Sequence, residues 1–152
     1  MNKKTISLTE TSLSLKASPF FIMGIVHRHF RNDANRSLME KFDISTEMLK
    51  ALEIISHHKV ITQQKLADIT MNERSATKRL VDNLVKRELI VFMKDENNLK
   101  HKLLTLTPDG KKTKDLGSKI LKKLEQQWLD KLDQNDINNL KTTCYKLAIE
   151  NI

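Results

Sequence analysis

Apolar residues recur at helical spacing along most of the chain, and the pattern changes period once. Pro19 can open a helix, and Ile22, Val26, Phe30, Leu38 and Phe42 continue it, spaced from one another by multiples of four. Ser45 reads as the N-cap of a second helix, with Glu47 near its positive end and Met48, Ala51, Leu52 and Ile55 inside. Thr62 caps a short third helix, "TQQKLADI", which turns Leu66, Ala67 and Ile69 inward. A fourth starts at Asn72 or within one residue of it. Ala76, Leu80, Val81 and Leu84 form its apolar face, and Arg74, Ser75, Lys78, Arg79 and Asp82 the opposite one.

The period then shortens. "LIVFM" (89–93) and "KLLTLT" (102–107) are β-branched, aromatic or alternating, hence strand-like. Asn97 and Asn98 between them suit a turn that needs positive φ, so the two strands read as a hairpin with a polar tip. "TPDG" starts another helix, with Thr107 as cap and Pro108 at its first position. Leu116, Ile120, Leu124 and Trp128 carry it onward. A last helix places Ile137, Leu140, Cys144 and Leu147 at heptad spacing. Residues 1–18, rich in Ser, Thr and Lys, are expected to form a flexible arm.

The predicted fold class is therefore mainly α: a winged helix-turn-helix with one β-hairpin wing, flanked by N- and C-terminal helices. The chain's 152 residues suit one such domain. Charge sharpens the picture. The formal net charge is +8, and it is not spread evenly. Residues 72–87 carry five Lys/Arg against two acids (+3), residues 98–114 five against one (+4), and residues 115–152 six against six (zero). Within the fourth helix the cations Arg74, Lys78 and Arg79 crowd the start, where the macrodipole is already positive. That placement costs roughly 0.3–1 kcal/mol per exposed cation. A phosphate lattice outside would offset the cost, and in a helix-turn-helix the start of the second helix enters the major groove. The bland alternative is a solvated basic face.

Other chemistry finds little support. Three glycines, Gly24, Gly110 and Gly117, leave no dinucleotide or phosphate loop by motif, so no enzyme is expected. His27 and His29 are two apart, wrong for one helix face. His57 and His58 sit at a helix end, where a histidine complements the dipole, and metal binding is the weaker reading. Cys144 lies on an apolar stripe and reads as core. With one cysteine, no secretory signal and no membrane-length apolar run, a cytoplasmic location is expected, with no cofactor and no membrane partner. Aromatics, at 5%, form no stacking platform for single strands.

From about Pro19 to its end the sequence resembles the MarR family of winged-helix regulators. The resemblance rests on "QQKLADITMNERSATKRLVDNLVKRELI" followed by "LLTLTPDG", with Leu66-Ala67-Asp68, Lys78-Arg79-Leu80-Val81-Asp82-Asn83-Leu84 and Leu106-Thr107-Pro108-Asp109-Gly110 as its specific pieces. Two departures stand out. Glu88 replaces the glycine common after the recognition helix, and Asn98-Leu99-Lys100 replaces a wing-tip Asp-Arg-Arg run. The resemblance implies dimerisation helices over 19–44 and 108–152 and a winged helix-turn-helix DNA-binding lobe over 45–107. It implies a homodimer on double-stranded DNA, with a small-molecule effector pocket between interface and lobe. The expected DNA-binding residues are Gln63, Arg74, Ser75, Thr77, Lys78, Arg79, Lys100, His101 and Lys102. The alternative function is a winged-helix protein–protein module without specific DNA binding.

Overall fold

The computed structural model describes residues 12–94 and 102–149. Its elements are α1 (Leu13–Lys16), α2 (Pro19–Phe42), α3 (Thr46–His58), β1 (Ile61–Thr62), α4 (Gln63–Thr70), α5 (Arg74–Lys86), β2 (Ile90–Lys94), β3 (Lys102–Leu106), α6 (Pro108–Leu129) and α7 (Gln134–Ile149). The mainly helical class and the order of the main elements follow the sequence pattern, with two additions. α1 lies in the segment expected as an arm. β1 joins the hairpin to make a three-stranded antiparallel sheet of order β1-β3-β2. Ile61 pairs with Leu104 and Ile90 with Leu106.

Hydroxyl caps set most helix starts. Ser18, Ser45, Thr62 and Thr107 each accept a hydrogen bond from the amide three residues on, which satisfies a donor that the helix cannot. Helix ends are less conventional. Asp43, Met71 and Glu88 all adopt positive φ without being glycine. After α5, the Leu89 amide bonds back to the Leu84 carbonyl at 3.0 Å and the Glu88 amide to Val85 at 2.9 Å, the paired bonds of a Schellman motif.

The core lies where α3, α4, α5 and the sheet converge. Leu49, Leu52, Ile55, Leu66, Val81, Leu84, Ile90 and Leu104 are fully or almost fully buried there. Each such aliphatic side chain contributes roughly 1.5–3 kcal/mol relative to exposure. α2 and α3 both pack on α6, with Leu38 and Leu49 meeting α6 at Gly117. Gly110 serves a similar purpose at the start of α6: a Cβ there would fall 1.8 Å from the Leu89 carbonyl oxygen. The "LTPDG" sequence thus has a packing reason. Thr107 also ties the junction down, donating its hydroxyl to the Glu88 carbonyl at 2.7 Å.

The two ends of the chain are different. α7 buries none of its residues, and no other element packs extensively on it. Cys144, expected in a core, is exposed. Of the heptad stripe that holds it, Ile137 is half-buried and Leu140, Cys144 and Leu147 are exposed.

Candidate nucleic-acid interface

α4, the turn Met71–Glu73 and α5 form a helix-turn-helix. The turn is tight because α4 ends in another Schellman pair: the Asn72 amide reaches the Ala67 carbonyl at 3.1 Å and the Met71 amide reaches Asp68 at 3.2 Å. Met71 supplies the left-handed residue, with φ 52°. α5 then starts at Arg74, behind the cap position Glu73, which is within one residue of Asn72 as the sequence pattern suggests.

The buried stripe of α5 is Thr77, Val81 and Leu84, all at 0% exposure. Ala76 and Leu80 flank it, half-buried. This stripe decides which of the expected site residues share a surface. Arg74, Ser75, Lys78 and Arg79 are exposed on the opposite side. Thr77 is not with them. Expected at the DNA, it faces the core, and its hydroxyl has no partner among the described residues. The spacing 77, 81, 84 is a regular i, i+4, i+7 series. It was obscured because its first member is a polar residue type.

Lys78 is exposed but not free: its Nζ lies 2.7 Å from Asp82 Oδ2. One helical turn joins them, and it is Lys78, not Arg79, that takes Asp82. Among the described residues Arg74 and Arg79 have no ion-pair partner, so the free positive charge of this face is theirs. Gln63 opens α4, half-buried. Lys100 and His101 lie outside the described residues. Lys102 is placed by its backbone, opposite Lys94 at the end of the hairpin ladder.

Arg87, at the end of α5, pairs with Asp43, at the end of α2, at 3.0 Å. This half-exposed contact joins the end of α5 to the end of α2, and no local spacing could have pointed to it. A hydrophobic-to-charged groove of about 260 Å³ runs between α3 and α6, lined among others by Thr46, Leu49, Glu53, Leu121 and Lys122. Beside it the Ser118 hydroxyl contacts Glu53. Close by, Lys114 Nζ stands 2.6 Å from Asp115 Oδ1. That hydrogen bond raises the lysine pKa and lowers the aspartate pKa. Among the described residues no group of three or more His, Cys, Asp or Glu could hold a metal ion. No helix among them is long and apolar enough to cross a membrane.

The sequence model of the MarR family matches residues 44–102, the helix-turn-helix and most of the wing. Curated proteins yield no match. Solved structures do. A cysteine-to-serine mutant of MarR from E. coli, complexed with operator DNA, superimposes with a TM-score of 0.80 at 20% identity, covering 90% of this chain and 99% of that one. The complex of S. aureus MepR with DNA gives 0.79 at 21% identity, covering 88% and 98%. A second MepR structure, described as a transcription regulator of the S. aureus multidrug efflux pump MepA, gives 0.69 at 20%, covering 89% and 99%. At these identities the likeness is one of fold.

Proposed function

We propose, from the premise that residues 44–102 are of the MarR family, that this protein is a homodimeric transcriptional regulator that binds double-stranded DNA sequence-specifically. One observation carries the reading. The exposed side of α5 presents Arg74, Ser75 and Arg79 at the start of the second helix of a helix-turn-helix, and among the described residues neither arginine is in an ion pair. That is the part of such a motif that enters the major groove. Arg74 and Ser75 are assigned to base edges and Arg79 to a phosphate, with Gln63 and the wing residues Lys100, His101 and Lys102 as flanking contacts.

In this reading α2, α6 and α7 form the dimer interface and residues 45–107 the reading lobe. The exposed apolar side chains at both chain ends, Phe20, Val26, Leu140 and Leu147 among them, support that division. The groove between α3 and α6 supports a small effector held between interface and lobe. The protein is a binding protein and not an enzyme, and a DNA partner places it in the cytoplasm. A gel shift with DNA from upstream of its own gene, against scrambled DNA at equal salt, tests the proposal. Preference for the upstream duplex is expected. Equal binding to both would favour the second reading, a protein-interaction module. The exposed Val91 and Met93 on the edge strand β2 are the observation on that side.

A further inference from the structure

Among the described residues, six of the seven helices open on a short side chain that folds back onto the helix. Ser12, Ser18, Ser45, Thr62 and Thr107 accept an amide of the first turn. Asp133 does the same for α7, taking the Asp136 amide at 2.8 Å. α5 is the exception. Glu73 has the extended cap backbone, φ −61° and ψ 148°, yet its carboxylate takes no amide. It is exposed, and among the described residues it is in no ion pair. A carboxylate therefore projects, unpartnered, from the one helix end that Arg74 and Ser75 share.

The geometry points to Glu73 as a specificity-determining residue that accepts a hydrogen bond from the exocyclic amino group of a cytosine in the major groove. The inference rests on the reading of α5 as the DNA-facing helix. Phosphates repel a carboxylate, so on DNA it must find a base donor or stand against the backbone charge. The major groove offers two, cytosine N4 and adenine N6. Adenine's amino group adjoins N7, an acceptor that repels the second carboxylate oxygen. Along its own ring edge, cytosine's amino group adjoins C5–H, which carries no acceptor. Arg74, next in sequence, matches the O6/N7 edge of guanine. Glu73 thus acts twice: it binds the right base and leaves an uncompensated anion on every wrong one.

The bland role for Glu73 is to complement the positive end of α5. Selection from a randomised duplex pool separates the two, using the full-length wild type, Glu73→Ala, Glu73→Gln and, as a control, Arg74→Ala. Expected for the wild type is one position per half-site enriched in cytosine. Glu73→Ala should lose that preference by about ten-fold, the scale of one mismatched base pair, while binding random DNA more tightly at low salt. Glu73→Gln, which keeps shape and removes charge, should move the preference toward adenine, the base glutamine pairs with. It decides the matter even if Glu73→Ala fails to fold. A cytosine preference unchanged in Glu73→Gln, or none in the wild type, overturns the assignment. If Arg74→Ala alone changes the selected site, Glu73 is bland while the DNA reading stands. If the wild type selects no common sequence, both fall.

Discussion

At Glu88 the chain leaves α5 with φ 57°, a conformation that costs a non-glycine residue about 1–2 kcal/mol. The position calls for glycine, and the sequence has a long acid there. Its side chain is exposed and the motif's hydrogen bonds are all backbone. Glu88→Gly should therefore stabilise the protein by about 0.5–1 kcal/mol, the relief less the added freedom of the unfolded chain. Thermal melting followed by circular dichroism should show a rise of about 1–4 °C. Gly110, across the same junction, makes the opposite demand. A methyl group there meets the Leu89 carbonyl, a backbone atom that cannot swing aside. Gly110→Ala should cost about 3 kcal/mol or more, the upper range for overpacking. The same melt should fall by at least ~6 °C.

In the proposed reading, the two arginines of the α5 face, which have no ion-pair partner among the described residues, have different tasks. Arg74→Ala should cost roughly 1–3 kcal/mol on the preferred site and relax sequence preference. Arg79→Ala should weaken every sequence alike and flatten the slope of log affinity against log salt by ~0.9. Titrations at several salt concentrations distinguish them. Asp82→Asn should do the reverse of Arg79→Ala: it frees Lys78, tightens binding generally and steepens the slope by up to ~0.9. The exposed pair that it breaks is worth only about 0.3–0.5 kcal/mol of stability. Much at this scale was readable from the chain alone. Ser45, Thr62 and Thr107 announce their helices because a cap acts over three residues, and Pro108 reinforces the last. Thr77 was misplaced because residue type hid its place on the buried stripe. β1 was missed because two residues become a strand only through β3, a partner over forty residues away. The Arg87–Asp43 pair is likewise a product of folding, between groups that no local pattern connects.

At the scale of the whole molecule, large apolar side chains near both ends of the described chain are exposed. Phe20 is 71% exposed, and Tyr145 and Ile149 are 67% exposed on a helix that buries nothing. A second copy is expected to cover them, and a two-fold dimer would span half-sites about 34 Å apart. Light scattering at micromolar concentration should give the mass of two chains, and dilution should lower the melting temperature by mass action. A stable monomer would rule the dimer out. Trp128 offers a way to watch this. It is the chain's one tryptophan, and its ring meets Phe30 edge-on, with centroids 5.7 Å apart, where α6 crosses α2. Residues 45–107, the proposed reading lobe, include no tryptophan and no tyrosine. Long-wavelength emission from this protein therefore originates entirely at the helix junction, and the lobe is optically silent. A DNA-bound lobe can shift or loosen without changing that signal unless the movement reaches α2 and α6. Any change of indole emission on adding operator would thus time the arrival of the binding event at α2 and α6, with no label attached.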